Sequence, residues 1–272
     1  MSILQAVILG IVQGITEFLP VSSSGHLAIL QKLFGIEIED GALLFDIALH
    51  VGTLLSVIVV LRDDVWKLLR RPVQKLTGLL LVSTAITALF AIVLKKIPAG
   101  ATGRPLLESA FSSSAFLGIA FLITSLSLVI AEFLRSRGGK VRHESEAGVF
   151  DAVIIGVCQG FGVLPGISRS GSTLAGALGR KLDRDFAARY SFLLAIPAIL
   201  GALVLEIKDM HSAGATGSGI SIIPTVAGAA SAALVGFFAM NFMLTLIRSR
   251  RLYGFSLYTG ILGIAILFWT FI

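Results

Sequence analysis

The stretch QGITEFLPVSSSGH, residues 13–26, breaks an apolar run with polar and helix-breaking residues, and the chain repeats it as QGFGVLPGISRSGST, residues 159–173. Gly10-Ile-Val-Gln13-Gly14 is echoed by Gly156-Val-Cys-Gln159-Gly160, an offset of 146. At the same offset Val21-Ser22-Ser23-Ser24-Gly25 is echoed by Ile167-Ser168-Arg169-Ser170-Gly171, and a slip of one residue sets Leu19-Pro20 against Leu164-Pro165. Downstream, FDIALHVGTLLSVIVVL (45–61) has a weaker counterpart in YSFLLAIPAILGALVLE (190–206). Matches that include Gln, Pro, Ser and Gly at a fixed offset point to an internal repeat rather than to the general likeness of apolar helices.

What surrounds the two breaks sets the class. The chain has 272 residues, of which 56% are hydrophobic and only 14% charged, with a mean hydropathy of +0.93. A soluble domain carries about 25% charged residues. Apolar runs recur at Gly78–Leu94, Ala115–Ala131, Tyr190–Leu205, Ile222–Ile247 and Leu252–Ile272, each close to the ~20 residues that cross a hydrocarbon layer as a helix. They lack the alternation of barrel strands, so the expected fold is an all-α polytopic membrane protein. The single cysteine, Cys158, excludes a disulfide framework or a cysteine zinc site. The apolar N-terminus has no basic segment and no small-residue cleavage site, so it reads as part of the first helix.

Residues 3–19 and 149–164 read as apolar helices that run into proline and then a Ser/Gly cluster. Short apolar pieces follow, Leu27–Phe34 and Thr173–Leu178, too short to span. A helix, a polar break and a short return helix make a re-entrant hairpin, which lipid tolerates only where it lines an enclosed cavity. Each half then adds three spans, about 42–61, 76–94 and 112–134, then 186–206, 222–247 and 252–271. Three is odd, so the second half enters from the other side. The expected organisation is one membrane domain, 1–272, built as an inverted repeat of about 1–140 and 147–272 with about ten helical segments.

Charge placement tests this independently. With the N-terminus outside, 16 of the 22 Lys and Arg residues fall in loops on the inner side, Arg104 is one of five outside, and Arg169 alone is left at membrane depth. This fits the positive-inside rule. The net charge of +6 therefore reads as topology and not as a nucleic-acid signal.

A charge at mid-bilayer costs about 2.5–3.5 kcal/mol on insertion scales, so Glu17 and Arg169 call for partners or a wet cavity. Gln13 and Glu17 share one helix face, and a return helix presents His26 beside Ser22 and Ser23. Both Ser/Gly clusters open a short helix, where free N–H groups and the dipole bind anions. Ser22, Ser24, Ser168, Ser170, Gly171 and Thr173 are thus candidate phosphate-binding residues, with helix capping as the plainer role of the serines. Glu17, Ser23, His26 and Arg169 supply what cleavage of a phosphate ester or anhydride asks for: a nucleophile, acid/base groups and a cation on the oxygens. Glu17 also suits a metal ligand, with Gln13 beside it. His50 reads as a helix-end or packing residue, Glu132 as interfacial, and the small-residue stretch Gly228–Gly236 as close helix packing.

At its two breaks the sequence resembles the undecaprenyl-diphosphatase, or bacitracin resistance, family. The hallmarks are (Glu/Gln)-x-x-x-Glu leading into Pro-Val-Ser-Ser-(Ser/Thr)-Gly-His, here Gln13 to Glu17 and Pro20 to His26, and Pro-Gly-x-Ser-Arg-Ser-Gly-x-Thr, here Pro165 to Thr173. Gln13 stands where many members carry Glu. The resemblance covers essentially the whole chain and places functional positions at Glu17, Ser22, Ser23, His26, Ser168 and Arg169. It implies hydrolysis of undecaprenyl diphosphate to the monophosphate and phosphate at the outer face of the bacterial cytoplasmic membrane. That reaction recycles the peptidoglycan lipid carrier and confers bacitracin resistance. It also implies a divalent cation, Mg2+ or Ca2+, with membrane lipids and a prenyl diphosphate as partners. The rival class is a transporter or lipid-carrier flippase, since inverted repeats with broken helices are common there.

Overall fold

The computed structural model describes residues 1–36, 40–97, 110, 113–212, 221–249 and 252–271. Arg104, Arg250 and Arg251, which enter the charge placement above, lie outside the described residues. The described chain is helical: α1 (Ile3–Phe18), α2 (Ser23–Leu33), α3 (Asp40–Val60), α4 (Arg62–Arg70), α5 (Lys75–Lys96), α6 (Ser114–Ser136), α7 (Val149–Phe161), α8 (Arg169–Gly179), α9 (Arg184–Ser212), α10 (Ile222–Ser249) and α11 (Tyr253–Phe271). Five of these, α5, α6, α9, α10 and α11, are long and apolar enough to cross a membrane, and α3 with α4 forms a bent pair that passes the same test. The chain is a multi-pass α-helical membrane protein.

Helices α1 and α7, with 16 and 13 residues, reach only about 24 and 20 Å at 1.5 Å per residue. Helix α1 stops at Phe18 because Leu19 precedes Pro20 and takes an extended conformation (φ −74°, ψ 144°). Helix α7 stops earlier than its apolar run, at Gly162, and the turn that follows passes through Gly166 at φ +84°. The return helices begin earlier than their apolar stretches suggest. Ser22 and Ser168 are the N-caps, and their hydroxyls accept from the N–H groups of Gly25 (3.3 Å) and Gly171 (3.0 Å). The polar residues of each cluster therefore occupy the first helical turn instead of a loop.

Small residues let the helices meet backbone to backbone. A Cβ placed on Gly10 of α1 would lie 2.2 Å from the carbonyl oxygen of Gly228 in α10, and one on Gly156 of α7 would lie 2.8 Å from that of Ser83 in α5. Hydroxyls tie the same layers: Ser56 donates to the Ala233 carbonyl and Ser83 to that of Ala152, each at 2.7 Å. In lipid such packing and hydrogen bonds replace the hydrophobic effect as the source of helix association. Helix α10 thus seats α1 through the Gly228–Gly236 stretch, and α5 seats α7.

One expectation gains detail and one needs correction. Glu132, near the end of α6, is buried within the protein: it pairs with Arg184 at 2.6 Å and 2.8 Å and accepts the Leu252 N–H at 2.9 Å, clamping α6, α9 and the start of α11. The basic segment after α3 is not a plain loop but the helix α4, bent 82° from α3.

Candidate active site

The two hairpin tips meet. Ser170 donates to the Leu19 carbonyl at 3.1 Å, and the Gly166 N–H reaches the Ser24 hydroxyl at 3.4 Å. Gly25 approaches Gly166 so closely that a Cβ on it would sit 3.1 Å from the Gly166 Cα, with the Phe121 ring at 2.6 Å on its other side. The starts of α2 and α8 therefore converge, and each carries first-turn N–H groups that its own helix cannot satisfy. Ser22 holds φ +71°, unusual for a residue with a Cβ, which marks strain retained at this tip.

Glu17 sits at the junction with its side chain 3% exposed. Its Oε2 accepts from the Ser23 hydroxyl at 2.5 Å and from Gln13 Nε2 at 3.0 Å, while its Oε1 accepts from Arg169 Nη2. His50 of α3 adds its Nε2 at 3.8 Å from Oε2. Desolvating a carboxylate costs several kcal/mol, and here one cation with two neutral donors meets that cost. Arg169 is less buried than its partner, 21% exposed. Among the described residues no other acceptor holds its guanidinium, so its remaining N–H groups are available to an anion's oxygens.

Glu17, Ser23 and Arg169 are thus brought together as the sequence suggested, whereas His26 bonds to other partners. Its Nδ1 lies 2.7 Å from the Ser22 carbonyl, and its Nε2 lies 2.7 Å from the Tyr258 hydroxyl, with the two rings stacked at 5.7 Å. A carbonyl can only accept, so Nδ1 carries the proton and Nε2 accepts from Tyr258 in the neutral ring. The other hydroxyls are already engaged: Ser168 lies 3.3 Å from Ser170, and Thr173 lies 2.5 Å from Ser191. His50 and Tyr258 are the residues that the motifs did not single out. His50, read as a helix-end or packing residue, bonds through Nδ1 to the Asp46 carbonyl of its own helix at 2.7 Å and brings Nε2 near Glu17 as well.

Beside Tyr258 runs an open, mostly apolar cavity of about 500 Å³ between α1, α10 and α11, lined by Ile15, Leu19, Phe242, Leu246 and Phe255 among others. An acidic-hydroxyl-cationic cluster at two helix starts, beside an apolar groove, is fitted to an anion attached to a long apolar chain. A family model for the bacitracin resistance protein BacA matches residues 6–265. The chain belongs to the bacitracin resistance protein family. Members similar to it throughout include the undecaprenyl-diphosphatase of Carboxydothermus hydrogenoformans, 45% identical over 267 residues that cover 98% of this chain and 97% of that one. The undecaprenyl-diphosphatase of Alkaliphilus metalliredigens is 41% identical over 278 residues, covering 98% and 99%. That of Treponema denticola is 40% identical over 291 residues, covering 100% and 99%.

The family resemblance implies a divalent cation, and the donors bear on it. Gln13 is fully buried, and its Oε1 has no hydrogen-bond partner among the described residues. The Gln13 amide N–H and the Ser23 hydroxyl both meet Oε2 of Glu17, so three side chains that carry hard oxygens, the kind Mg2+ and Ca2+ take, stand around one carboxylate. No group of three His, Cys, Asp or Glu side chains assembles among the described residues. The donor set fits a cation shared with phosphate oxygens, as Mg2+ usually is, and not one caged by protein alone.

Proposed function

We propose that this protein hydrolyses undecaprenyl diphosphate to undecaprenyl phosphate and inorganic phosphate, and so recycles the lipid carrier of cell-wall synthesis and confers bacitracin resistance. The observation that carries the reading is the Glu17 carboxylate holding both the Ser23 hydroxyl and the Arg169 guanidinium where two helix starts meet.

In this reading Arg169 and the first-turn N–H groups of α2 and α8 hold the diphosphate, with Ser24, Ser168, Ser170, Gly171 and Thr173 shaping that cradle. Ser23 Oγ attacks the terminal phosphorus while Glu17 takes its proton. The bridging P–O bond breaks, and undecaprenyl phosphate leaves with the electron pair. Water then attacks the phosphoserine, its proton passing to His26 Nε2 as the Tyr258 hydroxyl gives up that nitrogen, and phosphate departs as Ser23 is restored by the proton on Glu17. Ser23 is preferred to His26 as nucleophile because Ser23 touches the base, whereas both His26 nitrogens face other partners. Gln13 and Glu17 would hold Mg2+ or Ca2+, which supplies charge neutralisation at the phosphate oxygens when bound. His50 positions Glu17, and the prenyl chain lies in the groove beside Tyr258.

The same proposal places the enzyme in the bacterial cytoplasmic membrane with its hairpin site open to the exterior, in keeping with the positive-inside count. It also takes the halves, about 1–140 and 147–272, as an inverted repeat. The pairing of α1 with α10 and of α7 with α5 through Gly10 and Gly156 supports that symmetry.

The test is phosphate release from undecaprenyl diphosphate by purified protein in detergent with Mg2+ or Ca2+. Release that a chelator abolishes and added cation restores is expected. Absence of release by folded protein with either cation would overturn the hydrolase reading in favour of lipid transport.

A further inference from the structure

Helix α4 takes no part in the chemistry at the hairpin tips. It leaves α3 at 82°, so where α3 crosses a bilayer α4 runs along its surface. One side is anchored to the protein: Val65 and Leu68 pack on the main core, and Asp64 meets Arg189 of α9 at 3.4 Å. The other side is apolar and bare. Trp66 is 54% exposed, Leu69 68%, and Val73, just past the helix end, 98%.

Helical spacing puts Arg62, Trp66, Leu69 and Arg70 on this same outer side. The Arg70 guanidinium lies over the Trp66 ring, 4.6 Å from its centroid. Arg62, Arg70 and Arg71 have no carboxylate partner among the described residues, while Arg142, Arg180, Arg189 and Arg248 at the same end of the bundle are paired. A tryptophan and aliphatic face edged by unpaired arginines at the end of a span has the composition of an in-plane interfacial helix. The ring sits at headgroup depth, and the arginine stems lie on apolar surface with their heads reaching phosphate.

We propose that α4 and the turn through Val73 form a docking surface for anionic phospholipid. Trp66, Leu69 and Val73 enter the acyl boundary, and Arg62, Arg70 and Arg71 take the headgroup phosphates. The excess of positive charge over Asp63, the one exposed acid on the helix, selects anionic over zwitterionic lipid.

The chain has two tryptophans, so Trp269→Phe leaves Trp66 as the only indole reporter. In vesicles, Trp66 fluorescence is expected to be quenched more by brominated phosphatidylglycerol than by brominated phosphatidylcholine, and to be shielded from aqueous acrylamide. Adding Arg62→Gln, Arg70→Gln and Arg71→Gln should erase that preference, by about fivefold per charge removed. Phosphate release by the same variant in phosphatidylcholine checks that it is folded. Quenching by acrylamide with indifference to brominated lipid, as a soluble protein-docking face would give, overturns the proposal. Equal quenching by both lipids overturns the anionic selection.

Discussion

Ser23, in the first turn of α2, donates its hydroxyl to the Glu17 carboxylate of α1 at 2.5 Å, across a turn that contains Pro20 and the left-handed Ser22. The contact gives the hydroxyl a proton acceptor already in place. Glu17→Gln keeps the size and hydrogen-bonding reach but removes that acceptor. Steady-state phosphate release should show kcat reduced by about 10²–10⁴-fold, while the helical content is retained. A kcat within threefold of wild type, a threshold set roughly by ordinary assay scatter against the expected loss, would rule Glu17 out as the base.

Arg169 separates charge from geometry. Arg169→Lys keeps a cation beside Glu17 but loses the planar fork that meets two phosphate oxygens at once. It should fold as well as wild type and lose about 10²–10³-fold in kcat/KM. Arg169→Ala also strands the buried Glu17 charge, and its thermal unfolding in detergent should report a loss of roughly 3 kcal/mol. Equal activity in the lysine variant and wild type would show that charge alone suffices.

Tyr258 tests the placing of His26. Tyr258→Phe preserves the ring stack but deletes the hydroxyl on Nε2, a loss worth about tenfold or less in kcat. His26→Ala should collapse release, because the second step loses its proton acceptor. If both variants lose activity equally, the hydroxyl and not the imidazole is the working group.

Much of this site could be read from residues alone, for a physical reason. A carboxylate and a guanidinium inside apolar helices have to be explained, and the serine, glycine and proline signals around them name helix ends. That logic located Glu17, Ser23 and Arg169, and the hairpins with them. It does not reach His50 or Tyr258. A histidine near the start of a span is ordinary there, and a tyrosine in the last span looks like any membrane aromatic. Their importance comes from α3 and α11 folding back on the hairpins, contacts more than 30 and more than 230 residues from their partners in the chain. Helix α4 was hidden for a different reason. Its nine residues carry five charges, which reads as a loop until Val65 and Leu68 are seen against the core.

Glu132 offers a stability test away from the chemistry. Glu132→Ala removes the acceptor for Arg184 and for the Leu252 N–H together. Thermal unfolding in detergent should show a loss of about 3 kcal/mol, with kcat unchanged in the fraction that remains folded. Unaltered stability would mean that α6, α9 and α11 are held by packing alone.

The most direct test of the account is rapid-quench labelling with terminally labelled undecaprenyl diphosphate, followed by identification of the modified peptide. The account predicts transient label on Ser23 that disappears on longer incubation, is absent in Ser23→Ala and accumulates in His26→Ala. Label on His26, or release with no labelled peptide at any time point, would contradict it.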